Sequence, residues 1–436
     1  MLYVSTRNKN QPFPLSRAVL SGLAPDGGLL LPQTIPFLPT TWYQELPKLT
    51  FHQIAQTMLT PYLQGEFSEE TIATIITEAF TFPVPLISLT ERLHILELFH
   101  GPTLAFKDFG ARFMAQVFKR LAQQLGREIT ILVATSGDTG SAVAHGFWRQ
   151  EGIRVILLYP AGMVSTTQEH QLTGYGENIT ALRVQGTFDD CQRLVKTAFQ
   201  DKELRQHRLM TSANSINIAR LLPQMLYYAA AVAQLATPNF PVVMAVPSGN
   251  LGNLTGGIIA WKMGLPITHF IAALNTNDVF KEYLTTGRFS PREARPTLSN
   301  AMDVGHPSNL ERLRSLFNEN HYHLQETVSA ISATDAQTLQ TIRQVYQEYG
   351  YLLDPHGAVG WFATQDIYLR NRFGDAHWVV LATAHPAKFN PVMQQAIGKE
   401  ISIPLRLQRI LQRPTSVISI SATYTHFREF LFDLPS

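Results

Sequence analysis

The amino-acid sequence predicts an α/β protein whose strands run mostly parallel, with a smaller domain at the N-terminus. From about residue 93, short apolar runs rich in β-branched residues alternate with stretches of helical periodicity. These runs are mostly apolar, so the strands are expected to be buried on both faces, as in parallel sheets covered by helices. Because a domain takes roughly 150 residues, the 436-residue chain has room for two or three.

Composition and charge exclude several classes of protein. Lys and Arg number 35 against 33 Asp and Glu, a formal net charge of +2, so neither nucleic acid nor an anionic membrane is an expected partner. The single cysteine, Cys191, leaves no internal disulfide and no multi-thiolate metal site, and we predict no metal. The N-terminus lacks the apolar core of a secretory signal, and no stretch approaches ~18 apolar residues. We expect a cytoplasmic protein.

The predicted elements follow one another in a regular order. Residues 1–90 combine Pro and Gly turns with helical stretches near 51–63 and 68–80, and we interpret them as an N-terminal cap domain. Residues 91–400 are expected to form the α/β core, with an insertion near 276–350, and residues 401–436 form a C-terminal tail without assigned structure. Predicted strands in the core are 129–133, 155–159, 180–184, 241–246, 268–273 and 377–382. Predicted helices are 109–125, 139–150, 188–199, 216–236 and 253–263.

Two strand-to-helix junctions are unusually rich in glycine. Ligands in open α/β sheets bind at the carboxyl ends of strands, where such junctions lie. Residues 134–141 offer backbone N–H groups that suit an anion, although an ordinary turn capped by Asp138 or Thr139 is equally consistent with this loop. Residues 246–257 match neither a Walker A loop nor Gly-x-Gly-x-x-Gly. Their clustered donors suit a phosphate monoester, and the alternative is a glycine-rich turn.

A lysine and a threonine complete the candidate chemistry. Thr383 lies at the end of a buried strand, where its hydroxyl could bind a ligand or cap a turn. Lys107 follows a strand and lies among apolar side chains, which would lower its pKa and make the amine nucleophilic, although most lysines extend to solvent. An amine, a monophosphate loop and a strand-end hydroxyl together are what pyridoxal phosphate needs for its C4′, its 5′-phosphate and its pyridine nitrogen.

Five strings in this order resemble the threonine synthases, fold-type II pyridoxal-phosphate enzymes of the tryptophan synthase β-like group, in their longer form with an extra N-terminal domain. The resemblance covers nearly the whole chain and is weakest after about residue 400. It implies two open, twisted, mostly parallel sheets flanked by helices. The strings are Gly-Pro-Thr-x-x-Phe-Lys-Asp (101–108), Thr-Ser-Gly-Asp-Thr-Gly (135–140), Asn-Ser-Ile-Asn (214–217), Pro-Ser-Gly-Asn (247–250) and Ser-Asn-Ala-Met-Asp-Val (299–304).

The resemblance also implies which residues bind the cofactor. Lys107 would form the Schiff base, and Thr383 would hydrogen-bond the pyridine nitrogen. Asp138 stands where related enzymes often have Asn beside the oxygen of the cofactor ring. The residues matching the 5′-phosphate loop are Gly249, Asn250, Leu251, Gly252 and Asn253, with Leu251 in place of a Phe that is common in the family.

For the substrate, the resemblance implies O-phospho-L-homoserine, converted with water into L-threonine and phosphate. Ser136 and Thr139 would contact the substrate carboxylate, whereas Ser215 and Arg220 match positions that hold the substrate phosphate. The expected partner is thus a small molecule, and the chain is expected to be a monomer or a homodimer.

Two alternatives stay open at this point. A phospholyase or dehydratase would share the cofactor and the phosphate pocket but eliminate without adding water back. The Phe-Lys-Asp context of Lys107 favours the synthase, since dehydratases more often show Ser-x-Lys-x-Arg. A catalytically silent, ligand-sensing relative is the other alternative, and the intact Lys107, Thr383 and both loops argue against it.

Overall fold

Two large sheets and a two-stranded ribbon form the framework of the computed structural model, which describes residues 1–135, 137–235 and 240–435. The strands of these ranges are β1 (Tyr3–Ser5), β2 (Leu30–Pro32), β3 (Leu86–Ser88), β4 (Leu93–Glu97), β5 (Ile129–Ala134), β6 (Ile153–Pro160), β7 (Ile179–Gln185), β8 (Leu209–Ser212), β9 (Val242–Pro247), β10 (His269–Leu274), β11 (Val328–Ser332), β12 (His377–Ala382) and β13 (Ile418–Ser421).

Helices cover both large sheets and build most of the N-terminal region. They are α1 (Leu15–Ser21), α2 (Thr40–Glu45), α3 (Phe51–Leu63), α4 (Glu69–Ala79), α5 (Lys107–Leu125), α6 (Asp138–Phe147), α7 (Thr166–Thr173), α8 (Phe188–Gln200), α9 (Lys202–His207), α10 (Ile218–Leu221), α11 (Leu226–Ala233), α12 (Gly252–Lys262), α13 (Val279–Thr286), α14 (Leu310–Leu316), α15 (His321–Thr327), α16 (Asp335–Tyr349), α17 (Pro355–Thr364), α18 (Ile367–Phe373), α19 (Asn390–Ile397), α20 (Leu405–Leu411) and α21 (Tyr424–Asp433). Within the described ranges, none of these helices combines the length and apolar character needed to cross a bilayer.

The two large sheets are almost entirely parallel, as the apolar strand runs predict. The six-stranded sheet has the order β11-β10-β9-β12-β4-β3, and only the β3–β4 pair is antiparallel. The five-stranded sheet has the order β13-β7-β6-β5-β8 and is parallel throughout. Every residue of β5, β9, β10 and β12 is buried, which explains why these segments show no alternation of polar and apolar residues.

The chain passes between the two large sheets along three connections. It leaves the six-stranded sheet after β4, returns to it after β8, and leaves again after β12 to add β13 to the five-stranded sheet. Lys107 lies on the first connection, Ser215 and Arg220 on the second, and Thr383 on the third. The topology therefore brings four residues far apart in sequence to the region between the sheets.

Two predicted segments differ from the structure. The predicted helix at 216–236 is divided into α10, a 3₁₀ turn at Leu222–Met225 and α11, because Pro223 has no N–H group to continue the α-helical hydrogen bonds; residue 236 lies outside the described residues. The segment after residue 400, for which no structure is predicted, forms α20, β13 and α21. Phe427 and Leu431 of α21 pack on the apolar side of α8.

A buried arginine connects the N-terminal region to the core. Arg312 of α14 donates from Nε to the Leu30 carbonyl at 3.0 Å and from Nη2 to the Ile216 carbonyl at 2.6 Å. Its Nη1 contacts the Ser215 carbonyl at 3.2 Å and Asn309 Oδ1 at 2.8 Å. Burial lowers the pKa of Arg312 to about 9, so the side chain is still charged at neutral pH. One guanidinium thus fixes β2 against the connection that contains Ser215.

Replacing Arg312 with Met should lower the free energy of unfolding by at least about 2 kcal/mol, because several buried carbonyl oxygens lose their donors. The measurement is urea unfolding followed by circular dichroism. Arg314 provides a matched control on the same helix: its side chain is 46% exposed and paired with Glu319, so Arg314→Met should change stability by no more than about 0.5 kcal/mol. Equal effects of the two substitutions would contradict the structural role of Arg312.

Candidate active site

The turn that precedes Lys107 is fixed by the side chain of Asp108. The Thr103 N–H donates to Asp108 Oδ2 at 2.9 Å, and the Thr103 hydroxyl donates to Asp108 Oδ1 at 2.8 Å. Gly101 is required for this closeness, since a methyl group there would lie 2.3 Å from Asp108 Oδ2. Burial raises the pKa of Asp108 to about 6, although the bonds from Thr103 act in the opposite direction. The turn therefore closes on a buried carboxyl group next to the lysine.

Backbone hydrogen bonds attach the same turn to the end of β12. The Phe106 N–H donates to the Thr383 carbonyl at 2.9 Å, and the His385 N–H donates to the Leu104 carbonyl at 3.0 Å. Thr383 is 5% exposed. These contacts place Thr383 beside the start of α5, where Lys107 is the first residue. Lys107 and Thr383 thus belong to segments that are hydrogen-bonded to each other across two chain connections.

Opposing electrostatic effects act on the Lys107 amine. Burial lowers the pKa of Lys107, and the positive charges of Lys388 and Arg220 lower it further, whereas the negative charge of Asp138 raises it; the net direction is downward. A lowered pKa increases the fraction of uncharged amine at neutral pH, and the uncharged form is the nucleophile. The environment expected from the sequence is therefore present.

Lys388 and Asp138 form a buried ion pair beside this amine. Lys388 Nζ lies 2.6 Å from Asp138 Oδ1, and the two side chains are 2% and 8% exposed. Burial alone would raise the pKa of Asp138, but the charges of Lys388 and Lys107 hold it well below its usual range. Lys388 also donates to the Thr103 carbonyl at 3.3 Å. Sequence reasoning assigned no function to Lys388, because its partner lies 250 positions earlier in the chain.

The loop after β5 is wound around the Thr135 hydroxyl. Its Oγ1 accepts from the N–H groups of Gly137 at 3.1 Å and Gly140 at 2.9 Å. Gly137 has φ of +146°, a conformation that other residues rarely adopt, and it precedes α6 directly. Thr139 is half-buried in the first turn of α6. Ser136, the other predicted carboxylate contact, lies outside the described residues.

The loop after β9 ends in an amide that has a free donor. Leu251 adopts a left-handed conformation, with φ of 58°, immediately before α12. Asn253 is 5% exposed, and its Oδ1 accepts from the hydroxyls of Tyr227 at 2.6 Å and Tyr228 at 2.8 Å. Its Nδ2 has no hydrogen-bond partner among the described residues. A buried N–H₂ group without a partner at a helix start is suited to an anion.

The two predicted phosphate regions are in direct contact. Asn250 of the β9 loop donates from Nδ2 to the Ser215 hydroxyl at 2.6 Å, and its Oδ1 accepts from the Ser308 N–H at 2.5 Å. Gly249 packs against a neighbouring turn, where a methyl group would lie 2.7 Å from Met302 Cα. The sequence predicts separate sites for the cofactor phosphate and the substrate phosphate. The hydrogen bond between Asn250 and Ser215 connects the two predicted regions.

Arg220 lies against the first turns of α5. It is 5% exposed, and its Nη1 donates to the Ala213 carbonyl at 2.7 Å, while Nε has no partner among the described residues. Gly110 makes room for it, since a methyl group there would lie 2.8 Å from Arg220 Nε. Burial lowers the pKa of Arg220 to about 10, which leaves the guanidinium charged at neutral pH. A buried cation with an unused donor is therefore present one helical turn from Lys107.

A buried histidine hydrogen-bonds the turn that packs on the β9 loop. His356 Nδ1 lies 2.6 Å from Asp354 Oδ2, and its Nε2 accepts from the Ala301 N–H at 3.2 Å. Residues 301 and 302 form the turn that packs on Gly249. Sequence analysis assigned no role to His356. Its position at the start of α17, bonded to a distant turn, could not be read from periodicity.

Comparisons with known proteins agree with this arrangement. Models of three families match the chain: Threonine synthase N terminus at residues 2–80, Pyridoxal-phosphate dependent enzyme at 81–384, and Threonine synthase, C-terminal at 357–431. The chain is 42% identical to the threonine synthase of Haemophilus influenzae over 426 residues, which is 98% of each protein. The chain belongs to the threonine synthase family.

Solved structures of the family have the same fold. The threonine synthase of Escherichia coli matches with a TM-score of 0.90 and 39% identity, over 99% of this chain and 100% of that one. The pyridoxal-phosphate-bound threonine synthase of Brucella melitensis matches with a TM-score of 0.93 and 36% identity, over 99% and 98%. The predicted family, the fold-type II α/β architecture and the dependence on pyridoxal phosphate are confirmed.

The described residues also fit pyridoxal phosphate on their own geometry. Lys107 offers an amine in surroundings that lower its pKa, and Thr383 offers a hydroxyl at the adjacent strand end. The unpartnered Nδ2 of Asn253 and the helix start at Gly252 offer neutral donors for a phosphate monoester. Pyridoxal phosphate needs groups of these three kinds for its aldehyde, its ring nitrogen and its phosphate, and the assignment of these residues to them stays a prediction.

The packing of Arg220 on α5 can be tested by replacing Gly110 with Ala. Alanine favours a helix over glycine by about 1 kcal/mol, but the added methyl group would collide with Arg220, so we expect a net loss of about 1 to 3 kcal/mol in unfolding free energy. The control is Gln123→Ala on an exposed position of the same helix, which should be neutral or slightly stabilising. Urea unfolding of both variants measures these free energies. Stabilisation by Gly110→Ala would contradict the packing of Arg220 against α5.

Proposed function

We propose that the protein converts O-phospho-L-homoserine and water into L-threonine and inorganic phosphate with the help of pyridoxal phosphate. The observation that supports this substrate most directly is Arg220, a buried guanidinium with an unused donor beside the helix of Lys107. The cofactor phosphate is accounted for by the neutral donors of the β9 loop. A separate buried cation is therefore available for a second phosphate group, which the proposed substrate has and an unphosphorylated hydroxy amino acid lacks.

In this proposal, Lys107 binds the cofactor covalently and Thr383 hydrogen-bonds its ring nitrogen. A neutral hydroxyl at that nitrogen does not stabilise a protonated ring as a carboxylate would. Asp138 lies beside the ring oxygen, and the 5′-phosphate is bound by the loop residues Gly249, Asn250, Leu251, Gly252 and Asn253. When bound, the cofactor provides an electron sink that stabilises negative charge developing on the substrate.

Proton movement is assigned to Lys107. When it is not bonded to the cofactor, its Nζ would be free to remove protons from the substrate Cα and Cβ. It would later return one proton to Cα and one to Cγ, so that the carbon that loses the phosphate becomes a methyl group. A general base works best when its pKa lies near the working pH, and burial with the nearby cations moves the pKa of Lys107 in that direction. The hydrogen bonds between Asp108 and Thr103 hold the turn from which this side chain extends.

Substrate binding is assigned to two other segments. Ser136, Thr139 and the backbone N–H groups at the start of α6 would bind the carboxylate, since a helix start favours an anion. Ser215 and Arg220 would bind the phosphate on Cγ. Arg220 would also stabilise the negative charge that accumulates on the phosphate as its bond to Cγ breaks, before a hydroxyl from water is added at Cβ.

The cellular location and assembly of the protein stay predictions: a cytoplasmic enzyme, monomeric or homodimeric, that acts on a small molecule. A formal net charge of +2 supports the expectation that nucleic acid is not a partner. The buried free thiol of Cys191 is compatible with a reducing compartment.

The direct test of the proposed reaction is incubation of the holoenzyme with O-phospho-L-homoserine and identification of the products. We expect L-threonine and inorganic phosphate in equal amounts, because the water that replaces the phosphate ends on Cβ. A Lys107→Ala preparation is the control and should form neither product. Accumulation of 2-oxobutyrate instead of threonine would indicate a phospholyase, and a lack of turnover with a normal cofactor spectrum would indicate a silent binding protein.

Two substitutions separate the proposed phosphate sites. Arg220→Met should leave the visible absorption and affinity of the cofactor nearly unchanged but lower kcat/KM for phosphohomoserine by about 10²-fold, if the lost charge-assisted bonds are worth about 3 kcal/mol. Asn253→Asp places a negative charge where the β9 loop offers a donor, and it should weaken cofactor binding instead. Titration of the apoprotein with cofactor and steady-state kinetics provide the two measurements. The opposite pattern would mean that the two sites are exchanged.

A further inference from the structure

The Lys107 region contains a second buried amine to which the proposed function gives no task. Lys388 follows β12 in a 3₁₀ turn at Pro386–Phe389, and its side chain is 2% exposed. Its Nζ is held on two sides, by Asp138 Oδ1 at 2.6 Å and by the Thr103 carbonyl at 3.3 Å. A buried lysine costs free energy unless a partner compensates its charge, so the pair with Asp138 is a specific feature of this site.

One carboxylate and two cations act on the Lys107 amine. The charged groups around the Lys107 amine are Asp138 on α6, Lys388 after β12 and Arg220 on α10. The neighbouring Asp108 directs both carboxylate oxygens to Thr103.

Asp138 is surrounded by groups from four elements. It faces Lys388 and Lys107, with His356 of α17 at longer range, and Gln168 of α7 contacts its Oδ1 at 3.5 Å. The shortest of these contacts is the hydrogen bond to Lys388. The ammonium of Lys388 therefore offsets much of the negative charge that Lys107 would otherwise experience, since opposite charges at short range cancel at a third site.

We propose that Lys388 is a positioning residue: by engaging Asp138, it prevents that carboxylate from pairing with Lys107 and so keeps Lys107 available as an uncharged amine. This inference rests on the proposed function, in which Lys107 is the residue that captures the cofactor aldehyde. Without Lys388, Asp138 would be a buried carboxylate facing the Lys107 amine, with no other lysine among the described residues to engage it. A salt bridge between them would hold the amine in its protonated, unreactive form.

The test follows cofactor capture by the apoprotein over a range of pH. Pyridoxal phosphate is mixed with the apoprotein, and the growth of the visible absorption band gives the capture rate, which rises as Lys107 loses its proton. Lys388→Met should move the midpoint of this pH profile upward by about one unit or more, and slow capture about tenfold at pH values below it. Lys388→Arg keeps the charge and should retain a profile close to wild type.

Asp138 can also be replaced, alone and together with Lys388. Asp138→Asn should move the midpoint downward, because Lys388 and Arg220 then act on Lys107 without a compensating carboxylate. The double variant Asp138→Asn, Lys388→Met tests whether Lys388 acts through Asp138: removal of Lys388 should raise the midpoint by less in this background than in the wild type, because no carboxylate is left for Lys388 to engage. If Lys388→Met fails to fold, Lys388→Gln takes its place, since it loses the charge but keeps a donor for Asp138, and its midpoint should also lie above that of the wild type.

A structural role for Lys388 alone would not move these midpoints. The inference is overturned if Lys388→Met, or Lys388→Gln where Lys388→Met does not fold, has the wild-type midpoint. It is also overturned if removal of Lys388 raises the midpoint equally with and without Asp138, because Lys388 would then act directly on Lys107. Thermal unfolding of each variant measures the structural contribution independently. A Lys107→Ala control keeps the two proposals distinguishable: undiminished capture in that variant would refute the assignment of Lys107 itself, whereas loss of capture with unmoved midpoints would refute only the role of Lys388.

Discussion

The hydrogen bonds between the buried Asp108 carboxyl group and Thr103 are the contact on which the remaining site geometry depends. They close the turn after β4 so that α5 begins at Lys107, with the lysine beside the end of β12. Gly101 permits this closure, and backbone bonds to the strand-end segment secure it from the other side. A nucleophilic amine is useful only if it is held at a fixed position, and this turn provides that position.

The two-sheet topology explains why the other groups converge on the same place. Each connection between the sheets contributes part of the candidate site. The first contains the turn with Lys107, the second contains Ser215 and Arg220, and the third contains Thr383 and Lys388. The glycine-rich loops after β5 and β9 contribute one helix start from each sheet. Neutral donors lie at the β9 loop and a buried guanidinium lies beside α5, which supports the proposal that the two phosphate groups bind at chemically different places.

The strand framework and the glycine-rich loops could be predicted from the sequence, because each has a local sequence pattern. Buried parallel strands are continuous apolar runs, and helix starts that bind anions are rich in glycine. The ion pair of Lys388 with Asp138 joins positions 250 residues apart and leaves no local signal. Two other differences do have local signals. Pro223 interrupts a stretch whose apolar residues otherwise suggest one helix, and β13 has the alternating sequence Ile-Ser-Ile-Ser of an edge strand, although no strand is predicted there. Of these features, only the ion pair depends on tertiary contacts alone.

The central claim, that this turn presents Lys107 to the cofactor, can be tested by locating the modified lysine. The holoenzyme is reduced with borohydride, which makes the bond between lysine and cofactor permanent, and its peptides are then identified by mass spectrometry. We expect the cofactor mass on the peptide containing Lys107 and the unmodified mass on the peptide containing Lys388. Attachment to Lys388 or to any other lysine would contradict the account, because Lys107 is the amine that the Asp108 turn positions.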